Sequence, residues 1–292
     1  MSGHEKEINA LLTLLDDTDK EVLVHVEEKL LSYGESVIPN LENFWEQAFD
    51  NELQERIEMI IHRIHFSKLV QEVTNWNNGE SDLLYGAFLV AKYQYPELQH
   101  VPTLQEIERI RRNIWLEMNS YLTPLEQIKI MESILFGFYK FRGGELDYSK
   151  PNDFMVHKVV ESKKGNALTN GILYLAFAEL LDLPIRAINI PRQFVLAWFS
   201  HQTLFSNDFT DGNPAEKIKF FIDPNSGAGF AQKDIDLYLQ RISADPDHSY
   251  YLPQSNKQII KKLLLQLANC FDREPYSYKK KELEHLASLI SN

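Results

Sequence analysis

The chain has 292 residues, a formal charge of −12 and one cysteine, and its 44% hydrophobic and 25% charged residues are typical of a folded globular protein of one or more domains. Because this negative charge repels phosphate backbones, we expect no nucleic-acid partner, and we interpret Lys261-Lys262 and Lys279-Lys280-Lys281 as solvated helix faces. A lone cysteine excludes an internal disulfide, and the chain has neither an apolar leader at its start nor an uncharged apolar run of the roughly 18 residues that a membrane span needs. We therefore expect a cytoplasmic protein without a membrane span.

Apolar residues recur at helical spacing through the first hundred residues. Asp19 is placed to cap the second helix, and Gly34 is placed to end it. The spacing predicts a helical array over residues 1–100 made of short antiparallel hairpins, and HEAT-like repeats and an ordinary bundle explain it equally well. The stripes are Ile8, Leu11, Leu12 and Leu15, then Val22, Val26 and Leu30, then Ile57, Ile60, Ile61 and Ile64.

A second helical block is predicted from about Leu104 to Phe141, with a break at Pro124 that Thr123 caps. A turn-rich crossing with two glycines follows over 141–148, where we expect the character of the chain to change. The predicted module over residues 101–245 is α+β. The last residues, 246–292, predict a closing helical hairpin.

Within that module, the run 166–181 predicts one buried apolar helix, and three strand-like runs follow it at 185–190, 194–199 and 219–222. A helix start, a strand and a second strand ending in Asp-Pro form a good frame for a thiol site. The helix dipole lowers the pKa of a cysteine, the first strand offers a histidine base, and the second offers an aspartate to orient it. Of these three groups the sequence contains the aspartate alone.

The same region resembles the transglutaminase-like superfamily. The resemblance lies in Gly165-Asn-Ala, in the turn 180–186 (Leu-Leu-Asp-Leu-Pro-Ile-Arg), in Pro191-Arg-Gln-Phe and in Phe221-Ile-Asp-Pro. Gly79 to Ala91 and the Phe-x-Gly-Gly crossing are similar to the SirB1-like branch, over about residues 75–290. The resemblance implies a papain-like core with a central buried helix and a small antiparallel sheet, and it assigns no activity.

This alignment places Ala167 at the cysteine position, Gln193 at the histidine position and Asp223 at the aspartate position. Alanine cannot attack a carbonyl, and glutamine cannot carry a proton between substrate and nucleophile. Loss of a nucleophile or base costs on the order of 10⁶ in turnover, so we expect no catalytic residue here. Asp223 is then expected to satisfy backbone donors of its own turn.

Five other residues are candidates for binding in the cleft of this vestigial site. A small polar ligand or peptide would suit them, and a purely structural role explains them equally well. They are His157, Lys164, Asn166, Asn170 and Asn225. We expect no metal and no cofactor, since His62 and His65 lack a third ligand, and we interpret Cys270 as an ordinary buried thiol.

The sequence therefore predicts a catalytically inactive transglutaminase-like protein that binds a protein or peptide. The cleft or the helical array would provide the surface. The alternative function is a hydrolase or amide-transfer enzyme with an unconventional site around Asp223 and His157, and a purely structural subunit is a third possibility. The partner and the oligomeric state are not assigned.

Overall fold

The computed structural model describes residues 3–17, 19–200 and 213–291, with the backbone alone for residues 3 and 4. The chain divides into two compact units, 1–72 and 73–292. The three ranges predicted from the sequence stay a prediction, and their boundaries after residues 100 and 245 both lie inside the second unit.

The first unit is helical, and its apolar stripes meet in one core. The core includes Leu12, Leu30, Val37, Leu41 and Ile57, all of them buried. Asp19 caps the second helix by accepting a hydrogen bond from the backbone N–H of Glu21. The prediction of short hairpins is wrong for the fourth helix, which runs for 28 residues because its apolar stripe continues without a glycine or proline. The helices are α1 (Gly3–Thr13), α2 (Lys20–Ser32), α3 (Ile38–Gln47) and α4 (Asn51–Asn78), which contains the boundary between the units.

Eight more helices are described in the second unit. Thr123 caps α7 as predicted, because its side chain accepts from the backbone N–H of Glu126 while Glu126 bonds back to Thr123. A π-helical turn, Ser133–Phe138, extends α7. α11 and α12 pack together as the predicted closing hairpin, and α11 also packs against α5. The helices are α5 (Leu83–Lys92), α6 (His100–Glu117), α7 (Pro124–Glu132), α8 (Val156–Ser162), α9 (Ala167–Leu180), α10 (Gln232–Arg241), α11 (Asn256–Ala268) and α12 (Ser277–Leu289).

Six strands are described, in two sheets. A small parallel pair joins β1 to β2, and four antiparallel strands follow in the order β3-β4-β5-β6. The predominantly helical α+β fold with a small antiparallel sheet is therefore confirmed. The strands are β1 (Arg142–Gly144), β2 (Lys164–Asn166), β3 (Ile185–Ile188), β4 (Val195–Phe199), β5 (Ile218–Ile222) and β6 (Gly229–Phe230).

α9 is the buried centre of the second unit, as its apolar sequence predicts. It contacts α5, α6, α8 and α11 as well as strand β3. None of the described helices combines the length and the apolar character that crossing a membrane requires.

Candidate functional site

Asn166 and Ala167 form the start of α9. The Asn166 side chain accepts hydrogen bonds from the backbone N–H groups of Leu168 and Thr169, each at 3.0 Å, and its amide donates to the Asp153 carbonyl at 3.1 Å. Asn166 is thus engaged as a buried helix cap. Ala167 is the first residue of the helix and is half-buried. Its methyl group lies at the positive end of the helix dipole, where a thiol would be activated and a methyl group has no chemistry.

Two chain segments meet the same face of α9 one turn beyond Ala167. A Cβ atom on Gly171 would lie 2.6 Å from Cδ1 of Phe194 and 3.4 Å from Cβ of Pro224. Residues four apart share a helix face, so Ala167 and Gly171 look toward the same side. The residues adjoining Gln193 and Asp223 are therefore packed on the face that carries Ala167.

Gln193 and Asp223 lie at one edge of the antiparallel sheet. Gln193 precedes β4 and is exposed, whereas Asp223 follows β5, and the register pairs Leu196 with Ile222. The carboxylate of Asp223 accepts from the backbone N–H of Asn225 at 3.0 Å and from the Ser226 hydroxyl at 2.7 Å. Asp223 thus stabilises its own turn, as expected from the sequence.

The Gly171→Ala variant tests the close approach of Phe194 to α9. Alanine favours a helix over glycine by about 1 kcal/mol, yet overpacking a filled core costs about 1–3 kcal/mol. We expect the clash to dominate and the free energy of unfolding to fall in urea denaturation. The matched control is Gly137→Ala, where the added Cβ would meet nothing closer than 3.8 Å. Equal stability of wild type and Gly171→Ala would contradict the contact.

Asn225 and Asn170 lie against glycines of the parallel strand pair. The Asn225 side chain is packed directly on Gly143, and a Cβ on Gly165 would lie 2.6 Å from Oδ1 of Asn170. Gly143 and Gly165 are register partners, so both carboxamides are packed against adjoining positions of β1 and β2. Within the described residues, Asn170 Oδ1 and Nδ2 and Asn225 Oδ1 are buried without a hydrogen-bond partner.

Asn170 also lines a small internal cavity next to the π-helical turn. Burial raises the pKa of the Tyr174 phenol there, and its hydroxyl has no partner among the described residues. The other walls are Leu135, Phe136, Phe141, Leu173 and Phe177. The cavity is thus largely apolar, with three polar atoms whose hydrogen-bonding capacity is unused.

Asn170→Leu is expected to stabilise the protein by about 1 kcal/mol. Leucine has nearly the shape of asparagine, and it removes a buried carboxamide whose desolvation no described hydrogen bond offsets. Chemical denaturation followed by tryptophan fluorescence measures the change. A loss of stability would mean that the Asn170 carboxamide is hydrogen-bonded in the native protein.

His157 faces away from Gln193 and Asp223, toward α5. Its ring is buried and meets Tyr95 edge to face, with 4.8 Å between ring centroids. Burial, followed by the charge of Lys158, lowers the pKa of His157 to about 4. In the described part of the chain no hydrogen bond or ion pair joins His157 to Asp223. Lys164 is exposed.

Two further sequence-based candidates lack the properties of a reactive site. Cys270 is half-buried, and burial, with Asp147 and Asp153 nearby, raises the pKa of its thiol to about 12. Such a thiol is not nucleophilic at neutral pH. The described residues contain no cluster of three or more histidine, cysteine, aspartate or glutamate side chains placed to hold a metal ion.

Lys262 is a neighbour of the site that the sequence analysis misassigned. We interpreted it as part of a solvated face, but it is half-buried, with Nζ lying 5.4 Å from the centroid of the Phe194 ring. Burial lowers its pKa. A pair of lysines in a helix carries no signal for which of them covers a distant aromatic ring, so this contact could not be found from the sequence.

Two larger concave surfaces lie elsewhere in the second unit. A cavity of about 680 Å³ is lined mainly by β5, α10 and residues 244–251. A groove of about 420 Å³ lies between the end of α6 and the π-helical turn, with an apolar lining of Leu116, Ile130, Ile134 and Phe138. Phe138 is 70% and Leu116 is 65% exposed. Neither concavity is lined by Ala167, Gln193 or Asp223.

Residues 102–265 match the family model described as transglutaminase-like superfamily. This match covers more than half of the chain, and the chain belongs to that superfamily. Within it, the chain is a SirB1-like member: it is similar to protein SirB1 of Salmonella typhimurium (strain LT2), 26% identical over 91 residues, which are 31% of this chain and 34% of that protein.

Two other relatives extend the likeness. UPF0162 protein YchA of Escherichia coli (strain K12) is 20% identical over 198 residues, 67% of this chain and 68% of that protein. F-box only protein 21 of Homo sapiens is 31% identical over 68 residues, which are 23% of this chain. The chain thus spans 11% of the length of that human protein. No solved structure matches this chain.

Proposed function

We propose that the protein is a non-catalytic member of the transglutaminase-like superfamily that acts by binding a protein or peptide. The observation that carries the proposal is the chemistry of the start of α9. Ala167 occupies the position of the nucleophile, Gln193 that of the base, and the carboxylate of Asp223 is engaged in its own turn. A frame that keeps its packing but has two of three roles unfilled favours binding over turnover.

The apolar groove beside the π-helical turn supports the binding half of the proposal. Leu116 and Phe138 expose large apolar side chains on a concave surface, and such patches are typical of interaction sites. Grooves of this kind accept the apolar face of a helix or an extended peptide. We infer a protein partner in the cytoplasm rather than nucleic acid or a membrane, in keeping with the charge of −12.

A matched pair of baits tests the proposal. The full chain and its Leu116→Ser/Phe138→Ser variant are each used to capture partners from a native lysate. Both residues are largely exposed, so the variant is expected to fold, which circular dichroism checks. A partner retained by wild type and lost by the variant supports binding through the groove. Equal capture by both baits, or capture by neither, contradicts it.

A further inference from the structure

The hairpin between α3 and α4 exposes three large apolar side chains in the first unit. Phe49 is 103% exposed, Met59 41% and Trp45 36%. The Trp45 indole donates a hydrogen bond to the Glu58 carboxylate at 3.0 Å and so links the two helices at this surface. Isolated exposed apolar residues are ordinary, but three around one turn form a patch that needs an explanation.

Carboxylates surround these side chains. Glu42 and Glu46 share a face of α3 with Trp45 and Phe49, at helical spacings of three and four residues. Glu55 adjoins Glu58 and Met59 on α4 in the same way. We call this set of residues the α3–α4 face: Glu42, Trp45, Glu46, Phe49, Glu55, Glu58 and Met59.

No cation neutralises the face. In the part of the chain that the structure describes, Glu42, Glu46 and Glu55 take part in no ion pair. Between Lys29 and Lys68 the only arginines or lysines are Arg56 and Arg63. Arg56 donates to the Leu15 carbonyl and pairs with Glu52, and Arg63 pairs with Glu27.

The charge of the whole chain is concentrated in this unit. Residues 1–72 contain 16 acidic and 6 basic residues, a formal charge of −10 out of the −12 of the chain. Residues 73–292 are therefore almost neutral, at −2. A field of this kind raises the association rate of a positively charged partner and disfavours a negatively charged one.

We propose that the α3–α4 face docks a basic amphipathic helical segment of a partner protein. Leucine-like side chains of that segment would cover Trp45, Phe49 and Met59, and its lysines or arginines would pair with the unneutralised carboxylates. Apolar contact sets the residence of such a helix, and charge sets its steering. This surface is distinct from the groove lined by Leu116 and Phe138, so either can hold without the other.

The experiment uses a fluorescein-labelled synthetic amphipathic helix of leucine and lysine, titrated with the full chain by fluorescence anisotropy at low and at physiological salt. We expect Phe49→Ser, which leaves the charge unchanged, to weaken binding by about tenfold or more. The triple variant Glu42→Gln/Glu46→Gln/Glu55→Gln should weaken binding and reduce its salt dependence.

Two controls separate this face from net charge and from the groove. The variant Glu80→Gln/Glu97→Gln/Glu179→Gln makes the same charge change on exposed residues of the second unit, and Phe138→Ser alters the groove. Both should bind the peptide as wild type does. The proposal is overturned if wild type does not bind, if Phe49→Ser binds as tightly as wild type, or if the charge-matched control weakens binding as much as the triple variant of the face.

Discussion

The Phe194→Ala variant is expected to lose about 3–5 kcal/mol of the free energy of unfolding. Phe194 is buried, its ring covers Gly171 on α9, and the ammonium of Lys262 lies above it. Truncation removes the apolar contact, leaves a cavity against the central helix and ends the cation–π interaction. Chemical denaturation of wild type and variant under the same conditions measures the loss.

Two further variants show whether that loss comes from the contact with Gly171. Gln193→Ala changes the exposed neighbouring residue and should alter stability by no more than about 0.5 kcal/mol. Gly171→Ala, which is destabilising in wild type, should become stabilising by about 1 kcal/mol in the Phe194→Ala background, where the added methyl group has room. Additive effects of the two substitutions would contradict the packing described.

His157 is expected to make stability depend on pH between about pH 6.5 and pH 4. Burial lowers the pKa of its imidazole from 6.5 to about 4 in the folded protein. Above pH 6.5 the ring is neutral in both states and contributes no pH dependence. As the pH falls toward 4, the unfolded chain takes up a proton that the fold excludes, so stability drops by about 3 kcal/mol in total. Below pH 4 the folded state is protonated as well, and this loss ends.

The comparison with His157→Phe isolates that contribution. Phenylalanine keeps an aromatic ring against Tyr95 but does not titrate, and all other groups titrate as in wild type. The difference in unfolding free energy between the two proteins should therefore change over this pH range alone. A constant difference from pH 7 to pH 4 would mean that the imidazole is not desolvated by the fold.

Local signals in the sequence were sufficient for most helices and for the long strands. Asp19 and Thr123 cap the helices that they were predicted to cap, because an N-cap depends on residues only two or three positions away. The run 166–181 gives α9 because an apolar segment of that length buries itself as a helix. The three strand-like runs became β3, β4 and β5 with small shifts at their ends.

Elements without periodicity were missed. β1 and β2 are three residues each and glycine-containing, so neither has a pattern of its own, and their pairing depends on a contact 22 residues apart along the chain. The π-helical turn after α7 continues an ordinary helical pattern, and its wider winding follows from tertiary packing. α10 was also not predicted, since its polar sequence has only Ile235 and Leu239 buried.

The candidate site was located by sequence but its interior was not. The positions of Ala167, Gln193 and Asp223 follow from motifs on a helix and two strand ends. The ring of Phe194 on Gly171 and the lysine above it are contacts between distant segments. The direction in which His157 faces also depends on the neighbouring helix, and no spacing within α8 indicates that Tyr95 is its partner.

Ammonia release from a glutamine-containing peptide, with and without an amine acceptor, tests most directly whether amide chemistry is absent. Both hydrolysis and amide transfer break the glutamine C–N bond and liberate ammonia, so one readout covers both reactions. We predict that wild type and Asp223→Ala release ammonia at the rate of the protein-free buffer. Release by wild type above that rate, lost in a folded Asp223→Ala variant, would contradict a non-catalytic site.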